Sequence, residues 1–146
     1  MNQDKQRLLF LCSGNSCRSQ MAEGFARSLH ADSISTFSAG INTGKLDPLA
    51  VEVMQEVGID ISRQESSSVM EVIEESFDLV ITVCSEADQN CPTLPEVSRH
   101  LHQPFDDPPA LVASNQLHSD KLEIYRRVRD EIGEFCKTLP EVFDNI

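Results

Sequence analysis

The segment Arg7 to Ser19 constrains the chain most. Arg7 to Cys12 is a short apolar run that predicts a strand, and Met21, Ala22, Phe25, Ala26 and Leu29 follow at helical spacing. Between them lies Cys12-Ser13-Gly14-Asn15-Ser16-Cys17-Arg18-Ser19, a C-x5-R-S loop. A strand that turns directly into a helix gathers backbone N–H groups and the positive end of the helix dipole around one point. Gly14 and Asn15 tolerate positive φ, so the loop can curl until the amides of Ser13, Gly14, Asn15, Ser16 and Cys17 face inward around a tetrahedral oxyanion. Arg18 can bridge two of its oxygens with a planar fork, a geometry lysine does not offer. The same positive field favours a Cys12 thiolate, a hydrogen bond from Ser19 favours it further, and Cys12 becomes a nucleophile. Cys17 reads as a small packed residue of the loop.

Further along, Ile34 to Ser38 predicts a second strand. Asp47 then caps a helix that has Pro48 in its first turn, Ala50, Val53, Met54 and Val57 at helical spacing, and Gly58 at its end. Asp78 to Val83 is apolar on both faces, as a central parallel strand requires. Val97 to Phe105 alternates with polar residues and suggests an edge strand. A last helix is expected from about Asp120, with Tyr125, Val128, Ile132, Phe135 and Leu139 on its apolar stripe. Strands alternating with helices predict an α/β fold: residues 1–146 as one domain around a four-stranded, mainly parallel open sheet flanked by helices. Such sheets bind ligands beyond the carboxyl ends of their strands, and Cys12, Cys84 and the pair Asp106 and Asp107 each follow a predicted strand.

Twelve basic against 24 acidic residues give a net charge of −12, which opposes nucleic-acid or anionic-membrane partners. No apolar run reaches the length of a membrane span or of a secretory signal, so a cytoplasmic protein is expected. The five cysteines, Cys12, Cys17, Cys84, Cys91 and Cys136, are an odd number without paired C-x-x-C spacing, so catalytic or redox roles fit better than a disulfide scaffold or a zinc site. Cys136 falls on or near the apolar stripe of the last helix and reads as core. His100 and His102 can share one strand face, where a solvated or hydrogen-bonded pair is the simpler reading than a metal site.

Leu11 to Gly24, LCSGNSCRSQMAEG, resembles the signature of the low-molecular-weight protein tyrosine phosphatase fold, in the form carried by thioredoxin-coupled arsenate reductases. The similarity continues through Ser38-Ala39-Gly40, Gly58 to Ser62, Val83 to Asp88, Asn90-Cys91-Pro92, Phe105 to Pro108 and Arg127 to Ile132. C-x5-R alone belongs to phosphatases at large; Cys84 and Cys91 make the resemblance specific.

The resemblance implies reduction of arsenate to arsenite for arsenic detoxification. Cys12 would attack arsenic, Cys84 would displace arsenite by forming a Cys12–Cys84 disulfide, and Cys91 would resolve it as Cys84–Cys91. Thioredoxin would return the reducing equivalents, with glutathione and glutaredoxin as the alternative donor, and no tightly bound cofactor is implied. Seven helical residues span roughly 10.5 Å, whereas a disulfide allows a Cα separation of about 4.4–6.8 Å. If the segment from Cys84 to Cys91 is helical when reduced, it must unwind to oxidise. Asp107, before Pro108, matches the family's general acid, with Asp106 as its less suitable twin and a turn cap as the plain alternative. Asn15, Glu23 and Ser38 match a potassium site found in some members, but Ser67 stands where that pattern has an acid, and Glu23 can equally be a surface carboxylate. The segment Pro109 to Ser119 looks longer than in relatives and carries no functional reading. A plain tyrosine phosphatase would need no resolving thiols and usually has aromatics after the Asp-Pro pair, where this chain has Pro109 and Ala110. A non-enzymatic oxyanion or redox sensor is the other alternative.

Overall fold

The computed structural model describes residues 5–85 and 99–145. Four parallel strands form the sheet: β1 (Gln6–Cys12), β2 (Ile34–Gly40), β3 (Leu79–Thr82) and β4 (His100–His102), in the order β2-β1-β3-β4. Register pairs Leu8 with Thr36 and with Leu79, and Thr82 with His102. Leu8, Leu9, Phe10 and Leu11 are all fully buried, so both faces of β1 are covered, as expected of a central strand. The predicted edge strand is confirmed as an edge, though it is short, and residues 97 and 98 lie outside the described chain.

The helices are α1 (Arg18–His30), α2 (Pro48–Glu56), α3 (Val69–Val72), α4 (Pro108–Leu111), α5 (His118–Lys137) and α6 (Leu139–Asn145). Asp47 caps α2 by accepting the Leu49 N–H at 3.0 Å. Gly58, at φ +80°, ends it, with Ile59 N–H on the Met54 carbonyl and Gly58 N–H on that of Gln55. Helices α1 and α5 pack where Gly133 leaves room for Phe25: a Cβ there would lie 2.8 Å from the ring.

Three expectations need correction. The apolar face of α1 stops short of Leu29, which is 45% exposed in the last turn. The final helix begins at His118 rather than Asp120; the cap position is Leu117, without a side-chain bond, and Asp120 sits in the first turn, where its charge suits the dipole. Nor does that helix run on to Leu139. Pro140 has no N–H for the Cys136 carbonyl, so the helix breaks at Thr138 and His30 Nε2 bonds that carbonyl instead, at 2.8 Å. Leu139 is still buried, in α6.

Candidate active site

Cys12 ends β1, Cys84 follows β3 and Asp107 follows β4, so the three predicted positions share the carboxyl rim of the sheet. The loop between Cys12 and Arg18 is built from the outside. Its carbonyls all face outward onto donors: Cys12 to Ile41 N–H, Ser13 to Asn42 N–H, Gly14 to Ser66 Oγ, Asn15 to Gln20 Nε2, Ser16 to Asp47 N–H and Cys17 to Met21 N–H. A peptide whose oxygen is held outward turns its N–H the other way, and none of the amides of Ser13 to Cys17 reaches a carbonyl among the described residues. The loop is a ring of inward donors.

Asn15 supplies the left-handed turn, at φ 50°. Gly14 does not adopt positive φ, contrary to expectation; its Cβ would meet Ser16 Oγ at an ordinary 3.7 Å. The glycine the loop requires is Gly40, where a Cβ would lie 2.4 Å from the Asn42 carbonyl oxygen and 2.8 Å from Asn15 N. It is the last residue of β2, and although Ser38-Ala39-Gly40 carries part of the resemblance, nothing local marks Gly40 as a support of the loop. Ser66 and the Ser67 amide, which donates to Asn15 Oδ1 at 2.7 Å, were likewise invisible as loop supports because their partners are distant in sequence, and Gln20 reaches back only five residues to the Asn15 carbonyl without a motif to mark it.

Arg18 is nearly buried, donates from Nη1 to the Phe105 carbonyl at 3.1 Å and lies 3.6 Å from Asp107 through Nη2. Its Nε is buried with no partner among the described residues, an arrangement that calls for an acceptor. Asp107 is the cap position of α4 but its carboxylate caps nothing, which removes the turn-cap reading. Asp106 is instead drawn to Arg127 of α5, at 3.0 Å.

Cys12 is 3% exposed and its thiol is lowered to about 5. The leading cause is a hydrogen bond from Cys84, opposed by burial and assisted by the Arg18 charge and the backbone N–H groups of Ser19 and Ser13. The bond expected from Ser19 therefore comes from its amide, while its hydroxyl oxygen accepts Asn15 Nδ2 at 2.9 Å. Burial pushes Cys17 well above the ordinary thiol range, with Asp47 adding to the shift, and burial raises Cys136 to about 12. Both fit packed thiols. None of Cys12, Cys17, Cys84 and Cys136 is in a disulfide; Cys91 lies outside the described residues, as does the segment expected to unwind beyond Ser85.

The residues matching a potassium site do not fit the ion. Asn15 Nδ2 donates to Ser38 Oγ, Ser38 donates to Glu23, and Glu23 is paired with Arg27 Nε at 2.7 Å, so its charge is already met and Ser67 adds none. Glu23 is thus a buried, paired group rather than a surface carboxylate. His100 and His102 both lie against Thr82 Oγ1, at 3.3 and 2.9 Å, as a hydrogen-bonded pair. No helix among the described residues is long and apolar enough to cross a membrane.

Strand, anion loop and helix in this order define a class, and residues 7–145 match the low molecular weight phosphotyrosine protein phosphatase family, to which the chain belongs. The chain is 42% identical over 138 residues to an arsenate reductase of Halalkalibacterium halodurans, covering 94% of this chain and 97% of that protein. It is 46% identical over 128 residues to an arsenate reductase of Staphylococcus aureus strain Newman, covering 88% and 91%. Among solved structures, an arsenate reductase in the phosphate binding state superposes with a TM-score of 0.74 at 33% identity, covering 92% of this chain and 95% of that one.

Proposed function

We propose that the protein reduces arsenate to arsenite through a relay of Cys12, Cys84 and Cys91. The observation that carries the reading is the place of Cys84: Val83 N–H bonds the Leu11 carbonyl at 2.9 Å, so the buried Cys84 follows β3 beside Cys12 at the end of β1, a second thiol at the nucleophile's rim that a phosphatase does not need. Arsenate sits on the amides of Ser13 to Cys17 and on Arg18. The Cys12 thiolate attacks arsenic, and Asp107 protonates the departing oxygen, which leaves as water. Phosphorus stops at this adduct and waits for hydrolysis, whereas arsenic can accept two electrons. Cys84, deprotonated, attacks the Cys12 sulfur; the arsenic–sulfur pair stays on arsenic, arsenite leaves and a Cys12–Cys84 disulfide remains. Cys91 then attacks Cys84, frees the Cys12 thiolate and forms Cys84–Cys91, which thioredoxin's dithiol reduces. Cytosolic reducing conditions suit such a cycle.

Arsenate-dependent NADPH oxidation tests the donor, run with thioredoxin and its reductase and separately with glutathione, glutaredoxin and glutathione reductase. Turnover with thioredoxin that is lost in C91S is expected. Turnover only with glutaredoxin would keep the reductase and remove Cys91 from the relay. No turnover with either, alongside hydrolysis of an aryl phosphate, would leave a phosphatase.

A further inference from the structure

The chain's one tyrosine, Tyr125 of α5, is 2% exposed and donates its hydroxyl to Asp47 Oδ2 at 2.6 Å. The other Asp47 oxygen accepts the Leu49 N–H in the first turn of α2. Two bonds from two elements thus fix this carboxylate, and the Asp47 amide donates to the Ser16 carbonyl at 2.9 Å. That oxygen belongs to the same planar peptide as the Cys17 N–H, and in a trans peptide the two point in opposite directions. Holding the oxygen outward therefore aims the Cys17 N–H at the centre of the loop. Burial and the Asp47 bond push the Tyr125 phenol above the ordinary range, so it stays a donor at any working pH.

We infer that Asp47 and Tyr125 are positioning residues of the oxyanion loop, holding the Ser16–Cys17 peptide with its N–H toward the bound anion. The inference rests on reading the loop as the oxyanion site, and it assigns neither residue a contact with the reacting atoms. Cys12 takes its support from Cys84, Arg18, Ser13 and Ser19, so its ionisation is independent of this clamp.

The test uses inorganic phosphate as the probe, measured by its protection of Cys12 from iodoacetamide in the reduced, full-length protein, beside the pH profile of Cys12 alkylation and arsenate kinetics. Y125F is expected to weaken phosphate about fivefold, the loss of one modest hydrogen bond, and to lower kcat/KM for arsenate in parallel. Its Cys12 alkylation midpoint stays where it is in the wild type. D47N has one oxygen where Asp47 uses two, so it can keep only one of the two accepted bonds and weakens phosphate by less than D47A, which loses both and weakens it about tenfold. Wild-type phosphate affinity in Y125F would overturn the inference, even if D47A fails to fold. So would a weakened Y125F whose Cys12 midpoint also moves, because the whole loop would then have shifted. Phosphate protection of the wild type without arsenate turnover would refute the reductase and leave the clamp standing. Absence of protection in the wild type would refute the clamp.

Discussion

A buried thiol lowered to about 5 is the most informative single residue in the molecule, because burial alone would raise it. Half-maximal alkylation of Cys12 is expected near pH 5, with reactivity flat above it. Cys84 is the leading stabiliser of the thiolate, so C84A should move that midpoint upward, toward the ordinary thiol range, as well as end turnover after the adduct forms. An unchanged midpoint in C84A would mean that the two thiols do not share a proton. D107N should lower kcat about 100-fold with the Cys12 midpoint unaffected, since Asp107 acts on the leaving oxygen. D106N should be close to wild type, because Asp106 is turned to Arg127 at the surface. The gathering of Cys12, Arg18 and Ser19 on one loop was legible in the sequence, because C-x5-R-S lies between a predicted strand and a predicted helix, whereas Asp107 came only through the resemblance. The role of Glu23 was not legible: Arg27 lies one turn on in the same helix, but the Ser38 hydroxyl that donates to Glu23 comes from β2.

Elements decide how firmly the loop is held. G40A places a Cβ against the backbone at Asn42 and Asn15, so β2 or the loop must move, and it is expected to cost about 1–3 kcal/mol with loss of phosphate protection. A variant that melts like the wild type and still binds phosphate would remove Gly40 from the account. Farther from the site, Glu56 of α2 accepts Arg126 and Arg129 of α5, at 2.7 and 2.8 Å, and its carboxyl is lowered to about 2 by Arg126 first and Arg129 second. A lowered carboxyl stabilises the fold above its unfolded value, near 4.5, and that stability is lost as pH falls toward 2. Thermal melts should show E56Q below wild type at pH 7, with the gap closing under acid. A gap independent of pH would contradict the pairing. Helix and strand positions were largely readable from periodicity, whereas the break at Thr138 was not. The signal was present in Pro140, but the apolar stripe continues through Leu139 and masks it. The capping box Ser68 to Glu71 is a similar case: a local motif sufficient to place α3, beside no apolar run long enough to draw attention to it.

For the whole molecule, the anion loop works inside a protein carrying a net charge of −12. Long-range repulsion slows the approach of an arsenate dianion, and salt screens it, so single-turnover kcat/KM should rise about twofold between 10 and 150 mM choline chloride. A fall over that range would mean that the positive field of the loop reaches well beyond its mouth. The overall architecture was legible because parallel sheets impose strong patterns: two-sided apolar strands at the centre and a weak alternating strand at the edge. Long-range support of the loop by Gly40, Asp47, Ser66 and Tyr125 was not legible, because it depends on which strand ends meet at the rim, and no local period encodes that meeting.

The most direct measurement mixes the reduced protein with excess arsenate and no external reductant, then counts arsenite and maps the thiols after quenching with a fast alkylating agent. The relay predicts one arsenite per protein and a disulfide that includes Cys84, with Cys17 and Cys136 still alkylable after unfolding. Arsenite absent while Cys12 stays free, or arsenite formed with Cys84 unoxidised, would contradict it.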